Sequence, residues 1–394
     1  MSGIDHWLLP EGIEEMLPAQ AWRLEILRRR LLDTYRGWGY DLIMPPMIEF
    51  LESLLTGTGH DLDLQTFKLT DQLTGRLLGV RADMTPQAAR IDAHALKRDE
   101  PMRLCYLGTV LRTRPDGFAG SRSPLQVGCE LFGHAGMDSD LEILGLMLET
   151  LAVTGIDNVH LDLGHVGIFR ALTRGAGLDA EQEADLFDVL QRKVLPEIES
   201  LLDACGTAAP WRGRLASLAT LHGGTEVLNQ ARQALAGAGD AVAAALDNLS
   251  AIAARVQARW PQLPLHFDLA ELRGYGYHTG VVFAAFTPGC GQEIARGGRY
   301  DNIGAVFGRA RPATGFSADL RTLIALSRTD TVTDGGAVFA PADDAPALAE
   351  AIRALRAAGE RVIVALPGQH GGAREMGCDR ELVGQGGNWT VRTL

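Results

Sequence analysis

No CxxC pair occurs anywhere in these 394 residues. The five cysteines, Cys105, Cys129, Cys205, Cys290 and Cys378, are scattered and odd in number. That removes support for a zinc ribbon or a secreted disulfide framework, and the expectation is reduced thiols in the cytoplasm, with no metal and no cofactor. Nor does any stretch approach the roughly 18 consecutive apolar residues of a membrane span. The start, MSGIDHWLLP, shows no basic segment followed by an apolar run, so an unexported chain with no membrane partner is expected. Basic charge is in deficit: 37 Lys and Arg face 49 Asp and Glu, for a formal net charge of −12. Such a chain gains little from the counterion release that drives non-specific nucleic-acid binding, although one local basic groove is compatible with it.

What is there belongs to a globular protein. The hydrophobic share is 46% and the charged share 22%, compatible with two or three domains and a sizeable core. Leu24, Leu27, Leu31 and Tyr35 recur at helical spacing, predicting a helix from about Pro18 to Tyr35 that stops near Gly37 and Gly39. A short strand from Tyr40 to Met44 runs into Pro45 and Pro46, which cannot donate to a ladder. Residues 66–81 read as a hairpin, followed by a helix from about Pro86 to Leu96 and strands at Met102–Arg112 and Leu125–Gly133. Strands meeting strands, with helices inserted between hairpins, indicate an α+β fold on a largely antiparallel sheet.

From 164 to 262 alanine, leucine and alternating charge dominate and strand-forming runs vanish, the pattern of a helical insertion. Strands return at LHFDLAEL, HTGVVFAAF and QEIAR, and a helix at Leu320–Leu326 closes the sheet. The expected organisation is a core in two parts, 1–163 and 263–328, around the insertion 164–262. A short α/β segment, 329–394, follows; it is thin for an independent domain.

Three segments carry more polar and glycine residues than strand packing requires. Arg81-Ala82-Asp83-Met84-Thr85-Pro86 brings an acid, a hydroxyl and a helix start together; this suits a cationic amine, or a plain helix cap. Leu111 to Pro115 and Gln126 to Glu130 flank a loop, with Arg112, Gln126 and Glu130 able to share a face. The third, Leu272 to Gly280 with Arg296 to Asp301, is glycine-rich and permits close backbone approach to a ligand, or tight turns only.

In this order the segments resemble the catalytic core of histidyl-tRNA synthetases, class II aminoacyl-tRNA synthetases, over roughly residues 10–328. Pro46 and Glu49 stand where that family's first motif has a dimer-interface proline and its acidic neighbour. Arg81 to Thr85 is similar to Arg-Pro-Glu-Gly-Thr, and Gly108 to Glu130 is similar to the second motif, ending in Gln-x-Gly-Cys-Glu. Arg273-Gly274-x-x-Tyr277 and Gly297-Gly298-Arg299-Tyr300-Asp301 match the two signatures particular to the histidine enzymes.

The resemblance implies a histidine pocket. Asp83, Thr85 and Gln126 would hold the amine, Glu130 the imidazole and Arg273 the carboxylate, with Tyr277 lining the pocket and Arg112 a pocket or structural residue. His278 stands where the family has a tyrosine opposite the glutamate. Carboxylate and hydroxyl acceptors suit an ammonium, and arginine suits a carboxylate. The resemblance also implies losses on the ATP side. Arg114 replaces an adenine-contacting glutamate, and the loop tip reads Ala119-Gly120-Ser121-Arg122. Thr322 replaces the arginine that meets the γ-phosphate, beside Asp319 in place of a glycine. Adenylation needs cations on the transferring phosphates, so no catalytic residue is assigned.

A synthetase-like core with a histidine pocket, no adenylation grip and only a stub for tRNA resembles a paralogous family, the regulatory subunits of short-form ATP phosphoribosyltransferase. It implies a non-catalytic chain that self-associates as a dimer, joins the catalytic subunit, binds free L-histidine for feedback inhibition and uses no tRNA. The alternatives are a shortened histidyl-tRNA synthetase or other histidine-adenylating paralogue, and an interaction scaffold with a vestigial pocket.

Overall fold

The computed structural model describes residues 7–55, 60–115, 120–271, 274–327, 336–385 and 388–394. The chain separates into two compact units, Met1–Arg328 and Thr329–Leu394.

In the larger unit a helix over Pro18–Gly37 comes first, with proline in its first turn, and it buries Leu27, Leu31 and Tyr35. Gly39 then adopts a φ of 84°, which turns the chain into the sheet. Strand β1 is Asp41–Leu42. Next, β2 (Ile48–Phe50), β3 (Phe67–Thr70) and β4 (Leu77–Val80) form a small antiparallel sheet with β4 in the middle. The hairpin predicted at 66–81 is therefore present as β3 and β4.

Nine strands build the main sheet: β1, β5 (Met102–Thr109), β6 (Leu125–Phe132), β7 (His160–His165), β8 (His222–Gly223), β9 (Leu265–Asp268), β10 (Val281–Phe286), β11 (Ala295–Arg299) and β12 (Ala313–Asp319). Their order is β1-β5-β6-β12-β11-β10-β7-β9-β8. Only β1–β5 and β7–β9 run parallel among these pairs. The α+β architecture expected from the sequence is what the backbone forms. Side chains alternate across the sheet as the two-residue period requires. Cys105, Val127, Cys129 and Leu131 join the larger core. Leu104, Tyr106 and Phe132 face the other side with Met84, Ala88 and Tyr300.

Two strands depart from the sequence reading. The stretch 164–262 is mostly helical, but His222–Gly223 form β8, which pairs antiparallel with β9; a two-residue strand set by its neighbour leaves no periodic signal. The strand expected at QEIAR lies later, at Ala295–Arg299, and runs through Gly297 and Gly298. Gly297 packs against the Phe283 ring and the Gly315 carbonyl. A side chain there would clash, so glycine marks close strand packing here rather than a turn.

The smaller unit has β13 (Ala337–Ala340), β14 (Arg361–Val364), β15 (Cys378–Gln385) and β16 (Asn388–Thr393), ordered β14-β13-β15-β16. A helix over Pro346–Ala357 packs Leu348 and Ile352 against Val338, Val362 and Leu382.

Candidate functional site

The central antiparallel hairpin and the segment ahead of the Thr85–Arg90 helix place most of the nominated residues. Asp83 Oδ1 accepts from the Thr85 backbone N–H at 2.9 Å and from Gln126 Nε2 at 2.7 Å. Gln126 Oε1 in turn accepts from the Met84 N–H at 2.9 Å. Gln126, buried on β6, is thus tied to the protein by both ends of its amide and acts by fixing Asp83. Asp83 Oδ2 has no hydrogen-bond partner among the described residues and belongs to a side chain lining an open cavity.

That cavity measures about 630 Å³. Asp83, Thr85, Arg112, Tyr277 and His278 line it, together with Gly297 and, from the Ala180–Arg192 helix, Phe187 and Asp188. Arg112 Nε donates to the Ala82 carbonyl at 3.4 Å. The Tyr277 and His278 rings lie 4.2 Å apart, and the His278 N–H closes the turn onto the Gly274 carbonyl at 2.9 Å. Arg273 lies outside the described residues.

Glu130 lies one layer behind the cavity wall, 1% exposed. Its Oε1 accepts from the Tyr106 hydroxyl at 2.8 Å and its Oε2 from the Tyr300 hydroxyl. Tyr106 joins it to the wall through Thr85, 3.0 Å away, and the Tyr300 ring contacts Tyr277 and His278 at 6.1 and 6.3 Å. Burial pushes the Glu130 carboxyl up to about 8; the hydroxyl donors oppose this and the Asp83 charge reinforces it. Neither Tyr106 nor Tyr300 was nominated as a ligand contact, although Tyr300 stands inside the Gly-Gly-Arg-Tyr-Asp segment. A tyrosine on a strand reads as an ordinary β-former, so the sequence carries no signal for Tyr106.

Arg299, from the same segment, faces away from the cavity's ligand-bearing wall. It pairs with Asp140 at 2.9 Å and Asp301 at 3.0 Å and donates to the His134 and Gly136 carbonyls at 3.2 and 3.1 Å. These contacts pin the start of the Met137–Val153 helix to the sheet.

A second recess, of about 440 Å³, is lined by Arg112, Gln126, Glu293, Arg296, Asp319 and Thr322 among others. Asp319 caps the Leu320–Leu326 helix through Arg321 N–H at 3.1 Å, accepts from Leu125 N–H at 2.9 Å, and takes the Thr322 hydroxyl on its other oxygen at 2.9 Å. Arg321 does not line this recess; it donates to the Glu14 carbonyl at 3.2 Å. Arg296 pairs with Glu293 at 3.0 Å. Among the described residues lining it, two carboxylates match the two guanidiniums, with no surplus of positive charge for a polyphosphate. Among the described residues no three-residue cluster of metal-ligating side chains occurs, and no helix is long and apolar enough to cross a membrane.

A family model described as histidyl-tRNA synthetase matches residues 12–323, and one described as ATP phosphoribosyltransferase subunit HisZ C-terminal domain matches 335–392. The ATP phosphoribosyltransferase regulatory subunit of Thioalkalivibrio sulfidiphilus is 64% identical, with 100% of both chains covered. The crystal structure of an ATP phosphoribosyltransferase regulatory subunit/histidyl-tRNA synthetase from Bacillus halodurans superposes with a TM-score of 0.82 at 26% identity, covering 94% of this chain and 95% of that one. A chain of the ATP phosphoribosyl transferase (HisG:HisZ) complex from Thermotoga maritima shares the fold, with a TM-score of 0.56 at 17% identity over 74% of this chain and 96% of that one.

Proposed function

The chain belongs to the family of ATP phosphoribosyltransferase regulatory subunits, built on a histidyl-tRNA synthetase core, and from that premise we propose that its cavity senses free L-histidine for feedback control. It is a regulatory subunit, not a catalytic one. The observation that carries the reading is Asp83. Its Oδ1 is fixed by Gln126 and a backbone N–H, while Oδ2 is left for an ammonium at the cavity wall.

In this reading Asp83 and Thr85 take the ligand's ammonium, and the imidazole is directed to Glu130. Reaching Glu130 requires the Tyr277 or His278 ring to give way, the kind of side-chain adjustment that commonly accompanies binding. Arg273 is proposed to meet the ligand carboxylate and Arg112 to hold the wall between the two cavities. Neither ATP nor tRNA is used: the charge balance of the recess at Asp319 and Thr322 disfavours the first, and the net charge of −12 the second.

The partner proposed is the short-form catalytic chain, in the cytoplasm. The Thermotoga maritima HisG:HisZ assembly, one of whose chains shares this fold, supports a hetero-oligomer. Self-association as a dimer is supported by the exposed Leu42, Met44, Met47 and Ile48 around Pro46, apolar side chains on the segment from the edge strand β1 of the main sheet to β2 of the small sheet. Histidine acts by preferring one arrangement of the assembly, a coupling of about 1–3 kcal/mol. The test is to co-purify the short catalytic chain with this one and measure its rate with and without histidine. Stimulation by the chain and inhibition by histidine are expected; a rate unchanged by the chain refutes the partner, and one unchanged by histidine refutes the sensor.

A further inference from the structure

Glu130 accepts from two tyrosine hydroxyls, with the Thr85 hydroxyl close enough to favour its charged form as well, and has no cation beside it among the described residues. Tyr106 and Tyr300 each engage one oxygen, and among the described residues no lysine or arginine contributes to its charge state. The titratable groups around it are Tyr106 on β5, Cys129 next to it on β6, Asp83 ahead of the Thr85–Arg90 helix, and Tyr300 beyond β11, with Tyr277 and His278 packed on Tyr300. From β12 only Gly315 stands opposite. A carboxylate buried there beside the Asp83 charge is costly, so the acid keeps its proton to about 8.

We propose that Glu130 and the imidazole of bound histidine hold one proton between them, so that the pocket takes its ligand as a net-neutral acid–base pair. This rests on the histidine reading above. Each Glu130 oxygen, after accepting from one tyrosine, retains a lone pair for the ring. With one proton the pair is carboxyl–imidazole or carboxylate–imidazolium, and neither leaves an uncompensated buried charge. With two protons an imidazolium faces a neutral acid; with none, a bare carboxylate faces a neutral ring next to Asp83. Both extremes bury unpaired charge.

The proton balance follows. A neutral ring binding to protonated Glu130 moves no proton to or from solvent. Below about pH 6.5, where the free imidazole is charged, binding releases one proton. Above about pH 8, where Glu130 has ionised, binding takes one up. Affinity is therefore highest near neutrality and falls about tenfold one pH unit beyond either limit.

The experiment is calorimetric titration of the full chain with L-histidine from about pH 5.5 to about pH 9, in buffers of two ionisation enthalpies, for the parent and Glu130→Gln. The parent is expected to show a bell-shaped affinity profile. At the alkaline end it should take up about one proton more than Glu130→Gln, a comparison that cancels the ligand's own ammonium. Tyr300→Phe, which removes one donor to the carboxylate, should move the alkaline limb to higher pH. Equal proton uptake in parent and Glu130→Gln, or an alkaline limb that ignores Tyr300→Phe, overturns the shared proton while leaving histidine sensing intact. No binding at any pH overturns both.

Discussion

Gly315 on β12 stands directly across the ladder from Glu130 on β6, and a Cβ at Gly315 would fall on the Glu130 carboxylate. The glycine is therefore a requirement of the carboxylate's position, not of backbone conformation. Gly315→Ala is expected to drive Glu130 off its tyrosine partners and to destabilise the fold by about 1–3 kcal/mol, the usual cost of overpacking. Urea unfolding measures the stability, and calorimetry with histidine the pocket. A Gly315→Ala chain with unchanged affinity would show that Glu130 is not a ligand contact.

Asp83 and Gln126 divide one task unequally. Asp83→Ala removes the charge that meets the ammonium and should weaken histidine binding by roughly ten- to a hundredfold, the range for losing a charged hydrogen bond. Gln126→Ala leaves that charge in place but frees it from Nε2 and strips the Met84 N–H of its acceptor. Its expected loss of affinity is smaller, with a drop in stability of about 1–3 kcal/mol from the buried unpaired N–H. Calorimetry and urea unfolding on both variants separate the roles; equal affinity losses with no stability difference would contradict the division.

The residues that gather around Asp83 were legible because each sits in a short segment whose polar content exceeds what packing needs, and β6 brings Gln126 and Glu130 onto one face by strand alternation alone. The state of Glu130 was not legible. Its two tyrosine donors lie 24 and 170 residues away, and nothing local distinguishes a tyrosine that donates to a carboxylate from one that fills a core. The helix over Met137–Val153 was missed for a related reason. Ile143, Leu144, Leu146, Met147, Leu148 and Leu151 are all buried, so apolar residues nearly encircle it and the amphipathic period is blurred.

Arg299 offers a sharper test of structure against ligand binding. With Asp140 and Arg299 2% and 7% exposed, breaking the pair leaves an anion buried without its cation. Arg299→Met is expected to cost about 3–5 kcal/mol, and adding Asp140→Asn should recover part of it, because the lone carboxylate is then gone. Denaturant unfolding of the single and double variants measures the coupling. If Arg299→Met lowered histidine affinity with stability unchanged, the residue would belong to the pocket instead.

His165 sets an acid limit on the fold. Its Nδ1 accepts from the Gly167 N–H at 3.1 Å as the cap of the Val166–Ala176 helix, a role only the neutral ring can play. Burial lowers its pKa to about 4, with the nearby Arg299 charge acting in the same direction. The unfolded ring takes its proton near 6.5, so as pH falls from about 6.5 to about 4 the unfolded state binds a proton that the folded state refuses, and stability declines across that window. The decline from this one group is at most about 3 kcal/mol, and below the folded value it levels off. Glu130 changes in the opposite sense as acid is added, since its folded form holds a proton that the unfolded form releases above about 4.5. The two must therefore be separated by difference. His165→Asn keeps a side-chain oxygen that caps the helix and does not titrate. Subtracting its urea-unfolding stability from the parent's at each pH isolates the His165 contribution. The expected difference favours the variant progressively below about pH 6.5; parallel curves for the two chains would mean that the ring is free to protonate in the folded state.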